Sequence, residues 1–287
     1  MLDPIDLPPP RHVDIDGACV ATYVIEPPDR EPRGDVVLCH GTPWSSAVWA
    51  PVAGRLATER RVFLWDMPGY GASIGSRAPR VDLETQRQRL GLLLEHWELT
   101  GPDVVAHDIG GAVALGAHLL ESVPMASLYL LDVVTLDPWG SPFFRLVAQH
   151  QDVFAALPAN LHAALVREYV AGASHGHLPA GWIEELSRPW CTPEGQRGFY
   201  RQMAELVPAH TRPIVENLGR VRCPVRIGWG ERDPWIPVAQ AARLAELLPG
   251  PVDVFTIPEA GHLVPVEASE LLTDDIVTWL RHVGAGR

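Results

Sequence analysis

The sequence predicts an α/β chain built on a largely parallel sheet, with a helical segment inserted late in the sheet. Three observations carry this. Apolar strand-like runs alternate with amphipathic helical stretches, which places successive strands side by side in parallel. The runs are apolar throughout rather than at every second residue, as in strands covered on both faces. Between about residues 136 and 215 the alternation stops, and short helices separated by prolines and glycines take its place.

In chain order, ACVATYVIE (18–26) and DVVLCHG (35–41) read as strands that end at turn residues. SAVWAPVAGRLATE (46–59) has helical spacing, and RVFLWDMPGYGAS (61–73) is a strand running into a glycine-rich loop. DLETQRQRLGLLLEHWEL (82–99) is an amphipathic helix. DVVAHD (103–108) is a strand, GGAVALGAHLLES (110–122) a helix and SLYLLDVV (127–134) another strand. After the insertion come the strand of PVRIGWGERD (224–233), a helix near 238–248, the strand of VDVFTIPEAGH (252–262) and a helix over 267–282. In such sheets ligands bind at the carboxyl ends of the strands. His40, Asp66, Asp108, Asp132, Asp233 and His262 all fall at or just past expected strand ends. An insertion at that edge would roof the site and keep water out.

Composition excludes several classes of function. The 287 residues carry a formal charge of −12, which disfavours nucleic acid and anionic membrane as partners. All 23 basic residues are arginine, which rules out Schiff-base, pyridoxal-phosphate and P-loop chemistry. Cys19, Cys39, Cys191 and Cys223 are too scattered for a metal or redox motif. No apolar run is long enough to span a membrane, and the acidic, proline-rich start does not read as a signal peptide. The expectation is a cytoplasmic protein, monomer or homodimer, without cofactor or metal.

The chemistry concentrates in four short motifs. In VVAHDIGG (104–111) a strand hands over to a helix at Asp108, with small residues Ala106 and Gly110 two positions to either side. Small flanks permit the strained turn that presents a nucleophile. Alternatively Asp108 caps the helix. HGTP (40–43) ends a strand, EAGH (259–262) sets His262 between the last strand and helix, and WGERD (229–233) supplies Asp233. Asp132 in YLLDVV competes with Asp233 as the acid partner of His262.

Together these motifs resemble the aspartate-nucleophile branch of the α/β-hydrolase superfamily, most closely its epoxide hydrolases, with haloalkane and haloacetate dehalogenases as relatives. The resemblance implies a mostly parallel eight-stranded sheet flanked by helices, with a helical cap after the sixth strand. The implied divisions are 1–135 (core), 136–215 (cap) and 216–287 (core). It implies Asp108 as nucleophile, His262 as base and Asp233 or Asp132 as acid. Thr42 and Ile109 would form the oxyanion hole through their N–H groups, and Trp44 would bind substrate. A carboxylate attacks saturated carbon and forms an alkyl ester, which His262 then hydrolyses through water. Dehalogenase-type donors are missing: Ile109 follows the nucleophile where relatives keep Trp or Arg. This favours an epoxide as substrate, small and apolar or amphiphilic. The proton donor to its oxygen would come from the cap, where GFYRQM (198–203) points to Tyr200 and QHQDVFAA (149–156) to His150. The alternative for Tyr200 is a core aromatic in a cap helix, and for His150 a residue on a helix surface. Two alternatives remain: a dehalogenase on the same machinery, and a fold relative that binds a small ligand without turnover.

Overall fold

In a computed structural model, described here for residues 7–28, 30–75 and 77–285, the apolar runs become one eight-stranded sheet. The reading of the extreme N-terminus as a non-leader falls partly on residues 1–6, outside the described residues. The strands are β1 (Arg11–Ile15), β2 (Ala18–Ile25), β3 (Asp35–Cys39), β4 (Arg61–Asp66), β5 (Asp103–His107), β6 (Ser127–Leu131), β7 (Val225–Gly230) and β8 (Asp253–Ile257). Their order across the sheet is β1-β2-β4-β3-β5-β6-β7-β8. The β1–β2 and β2–β4 pairs are antiparallel and the rest are parallel. β5 and β6 are buried along their whole length, because both faces are covered. Each fully buried Val or Leu there contributes about 1.5–3 kcal/mol relative to exposure.

β1 was not among the strands expected from the sequence. It is an edge strand whose only fully buried residue is Ile15, so it lacks an apolar run. Its signal lay in the turn instead: Asp16 and Gly17 both have positive φ (51° and 71°), the geometry of a two-residue hairpin.

The helices of the core are α1 (Ala50–Leu56), α2 (Leu83–His96) and α3 (Ile109–Leu120) before the insertion. The expected helix over 46–59 is instead a 3-10 turn, Ser46–Trp49, followed by α1. Pro51 sits in the first turn of α1, where its missing N–H costs nothing. The insertion holds α4 (Pro142–Gln149), α5 (Gln151–Ala155), α6 (Ala159–Ala171), α7 (Ala180–Ser187), α8 (Pro193–Glu205) and α9 (Arg212–Asn217), all between β6 and β7. The core closes with α10 (Ala239–Leu247), α11 (Val264–Glu267) and α12 (Ser269–Ala285). α2 packs on α3 and α1 on α12, two separate helix pairs flanking the sheet. Among the described residues no helix is long and apolar enough to cross a membrane.

Candidate active site

Asp108 stands at the junction of β5 and α3. Its N–H donates to Leu131 O on β6 (3.1 Å), so the strand pairing continues up to the turn. The backbone then switches to φ 53°, ψ −124° and enters α3 one residue later. A non-glycine residue held in such a conformation costs about 1–3 kcal/mol. Close packing holds it there. A Cβ on Gly110 would lie 2.5 Å from His40 O, and one on Gly41 would lie 2.3 Å from the Asp108 Cβ. Asp108 occupies the N-cap position of α3, yet its carboxylate makes no capping hydrogen bond. The side chain points elsewhere.

It points toward the base. Oδ1 accepts the Thr42 N–H at 2.7 Å, and Oδ2 lies 3.4 Å from His262 Nε2. His262 Nδ1 is 2.8 Å from Asp233 Oδ2. Asp233 Oδ1 in turn accepts the N–H groups of Trp235 (2.7 Å) and Ile236 (2.9 Å), so the acid loop fixes its own carboxylate. Burial would raise the Asp108 carboxyl, but the close contact and charge of His262 outweigh it and hold the group below its ordinary range. Burial would likewise lower His262, but its two carboxylate neighbours hold it well above an ordinary imidazole. In the free protein His262 is therefore a cation between two anions.

Asp132 is brought to the same end of the sheet and does not touch His262. Its Oδ1 accepts the Gly230 N–H at 2.7 Å, while Oδ2 is buried without a partner among the described residues. Burial and the nearby charge of Asp233 push its carboxyl well above the usual range, so it is held neutral.

The HGTP turn serves the site through its backbone. His40 Nε2 accepts the Met67 N–H (2.9 Å), which leaves Nδ1–H to donate to Gly41 O (2.7 Å). The ring pins the turn. Ile109, first residue of α3, has no intrahelical partner for its N–H and lines the same space as Thr42. The cap holds this turn from above: Thr42 Oγ1 donates to Gln202 Oε1 (2.8 Å), and the Trp190 indole donates to Pro43 O (2.8 Å).

A cavity of about 40 Å³ opens over Asp108, lined by Thr42, Ile109, Val134, Trp139, Phe144, Tyr169, Trp235 and Ile236 among others. Its wall is mostly apolar, and among the described residues no arginine or histidine side chain belongs to it. The structure does not bring His150 here; it is exposed at the α4–α5 junction. Tyr200 is buried inside the cap, 2.7 Å from His162 Nδ1. His162 Nε2 faces Trp190 O at 3.0 Å and must donate to it, so the Tyr200 hydroxyl donates its proton to Nδ1. Tyr200 is thus committed to the cap interior, and burial raises its hydroxyl to about 12. Trp44 supports the site from behind: it is buried and stacks on Trp235 at 5.6 Å rather than lining the cavity.

The cap tyrosine over Asp108 is Tyr169 on α6, which sequence reasoning missed. Its ring stacks on Trp235 (4.8 Å), and its hydroxyl makes no hydrogen bond among the described residues. Burial, then the charge of Asp108, raises it above an ordinary phenol. His162, Val166 and Tyr169 share one face of α6 at helical spacing, a stripe that could have identified the inward side. Trp235, two residues after Asp233, was equally readable as part of the acid loop.

A family model described as the alpha/beta hydrolase family matches residues 36–274. The chain belongs to this family. An alpha/beta hydrolase fold protein from Burkholderia ambifaria is 37% identical, with a TM-score of 0.88 over 96% of this chain and 98% of the other. The pimeloyl-[acyl-carrier protein] methyl ester esterase of Chromobacterium violaceum is 30% identical over 79% of this chain and 87% of its own length. Haloalkane dehalogenase DbeA from Bradyrhizobium elkani, at 19% identity, TM-score 0.79 and coverage of 96% and 99%, shares the fold. The relatives of this alpha/beta hydrolase include hydrolases, such as that esterase and a monoacylglycerol lipase of Mycolicibacterium smegmatis. The substrate and the identity of its nucleophile are matters for its own residues.

Proposed function

We propose that the protein is a hydrolase working through an ester on Asp108, and that it adds water to a small, neutral epoxide. The observation that carries this is the placement of Asp108. The residue at the strained turn is a carboxylate, one oxygen is held by the Thr42 N–H, and the other faces His262 Nε2 and the cavity.

In this reading Oδ2 attacks an epoxide carbon and the ring C–O bond breaks. The leaving oxygen takes a proton from the Tyr169 hydroxyl. Esterification cancels the Asp108 charge, so His262 loses one of its two anionic neighbours and releases its proton. That proton passes to the Tyr169 phenolate, which restores the tyrosine and leaves His262 neutral. Neutral His262 then removes a proton from water, which attacks the ester carbonyl. The oxyanion forms on the former Oδ1, where the Thr42 and Ile109 N–H groups stabilise it. The tetrahedral intermediate collapses: the departing diol oxygen takes a proton from His262, and the new Asp108 carboxyl gives its remaining proton to His262, which restores the charged pair. Asp233 fixes the imidazole through Nδ1 and stabilises its charged form. The base is idle until the ester exists, and the ester is what activates it.

Halide displacement is the second reading. It is favoured by Trp235, a cavity-lining residue whose indole N–H makes no hydrogen bond among the described residues and could receive a halide. A single turnover with enzyme in excess, in ¹⁸O water with a panel of terminal epoxides, tests the leading reading. The expected result is ¹⁶O in the new hydroxyl of the diol and ¹⁸O in the Asp108 carboxylate. Direct appearance of ¹⁸O in the product would remove the ester from the mechanism.

A further inference from the structure

Five polar backbone groups around His262 are taken by side chains or carbonyls that no part of the mechanism above uses. The His262 carbonyl lies 2.8 Å from His107 Nε2, so Nε2 carries the proton and donates it. The His262 N–H donates to Ala173 O, at the end of the cap's α6, at 2.9 Å. One carboxylate, Glu267 on α11, accepts three more N–H groups: Gly261 (3.0 Å), Leu263 (3.1 Å) and His175 of the cap (3.0 Å). Gly261 has no room for a side chain here, since a Cβ would lie 2.4 Å from His175 N.

His107 is the informative member. It is fully buried beside the nucleophile, with its ring 4.8 Å from that of His262 and edge-on to Trp49. Its Nδ1 has no partner among the described residues. A charged ring would bury a second N–H with no acceptor, and burial together with the His262 charge lowers its pKa to about 3. It is a neutral donor. An unpaired buried acceptor is destabilising, and an apolar side chain of similar size would avoid it. What the imidazole provides in return is one hydrogen bond, to the backbone of the base.

We infer that His107 and Glu267 are positioning residues for His262: His107 fixes the carbonyl side of its peptide from the nucleophile strand, and Glu267 fixes the flanking N–H groups and ties them to the cap. The strand that presents Asp108 thereby also sets the distance from Asp108 to its base. This rests on Asp108 and His262 acting as nucleophile and base. A displaced His262 would impair only the step that needs a base. Attack by Asp108, already charged, would be spared.

The test uses the full-length protein in four forms: wild type, His107→Leu, His107→Gln and Glu267→Gln. The glutamine at 107 keeps an N–H donor at the same bond distance from the backbone. Rapid quench with a terminal epoxide, read by intact mass, separates ester formation from ester hydrolysis. His107→Leu and Glu267→Gln are expected to form the ester within about threefold of the wild-type rate and to hydrolyse it about 10- to 100-fold more slowly, so that it accumulates. His107→Gln is expected to recover most of the hydrolysis rate. Equal slowing of both steps, or hydrolysis unchanged in His107→Leu, overturns the inference.

A second measurement needs no substrate, and so stands if the nucleophile assignment fails. The low-field proton resonance of His262 Nδ1–H, bonded to Asp233, should persist in His107→Gln and weaken or disappear in His107→Leu. Persistence of an unchanged resonance in a folded His107→Leu overturns the positioning role. If His107→Leu does not fold, Glu267→Gln carries the same two readouts, with the same results deciding for or against.

Discussion

His262 Nδ1 lies 2.8 Å from Asp233 Oδ2, while the neighbouring carboxyl of Asp132 turns away to accept the Gly230 N–H. Both acids end adjacent strands of the sheet, and geometry separates their work. Asp233→Asn should reduce ester hydrolysis by about 10²- to 10⁴-fold, because the amide no longer selects the productive tautomer of His262. Asp132→Asn should leave it within about tenfold. Stopped-flow measurement of both steps checks the pair, and the reverse order of effects would assign the acid to Asp132.

Asp132 also makes a stability prediction. Its folded pKa is raised by burial and by Asp233. The folded state therefore holds this proton more tightly than the unfolded chain, whose carboxyl titrates near ~3.9. That contribution is fully present below the unfolded value and is lost as pH rises through the folded value. Asn has no proton to lose. The melting temperature of Asp132→Asn relative to wild type should become steadily more favourable from pH 4 to pH 8. A constant difference over that range would show that Asp132 is not held neutral.

The two chemical steps should respond differently to pH. Attack requires only ionised Asp108, whose pKa is held below the ordinary range, so kcat/KM should stay flat to below about pH 4 if attack limits it. Hydrolysis requires neutral His262. In the free protein His262 is held charged by two carboxylates, and after esterification by one. The acid limb of kcat, where hydrolysis limits it, should therefore lie above that of kcat/KM. Coincident limbs would contradict the sequence of events proposed.

The cap tyrosines should separate by role. Tyr169→Phe should slow ester formation from an epoxide by about 10²-fold and spare hydrolysis. Tyr200→Phe should leave both rates near wild type. It strands His162 Nδ1 inside the cap, so it should lower stability by about 1–3 kcal/mol, read by denaturant unfolding. A rate loss confined to Tyr200→Phe would restore the expectation drawn from GFYRQM.

Close contact at the turn gives a steric prediction. Gly41→Ala places a methyl carbon 2.3 Å from the Asp108 Cβ, so the carboxylate must move. Displacement of a reacting group by about 1 Å costs on the order of 10²-fold in rate. Ester formation is the step to measure, and an unaltered rate would mean that Asp108 is not the reacting group.

How much of this was legible in the sequence follows from where the information lay. β5 and β6 are buried on both faces, and their apolar runs reported them directly. Asp108, His262 and Asp233 sit in short turns whose residue types are demanded by local geometry, so VVAHDIGG, EAGH and WGERD marked them. β1 escaped because an exposed edge strand has no apolar run. The cap residues escaped for a different reason. Which side of α6 or α8 faces Asp108 depends on how the helices pack, and short likenesses pointed to Tyr200 and His150 where the packing brings Tyr169. His107 was in plain view beside Asp108, but its partner is a backbone carbonyl 155 residues away, which side-chain patterns do not report.

The most direct test of the account is a covalent trap. His262→Gln leaves Asp108 and the Thr42 N–H in place and removes the base. Incubated with terminal epoxides and separately with 1-haloalkanes, it should gain the mass of one substrate molecule, or of its alkyl group, on the peptide that contains Asp108. An epoxide adduct supports the leading reading, and an alkyl adduct with halide release supports the second. Wild-type turnover of a substrate that leaves no adduct on Asp108 in His262→Gln would contradict the account.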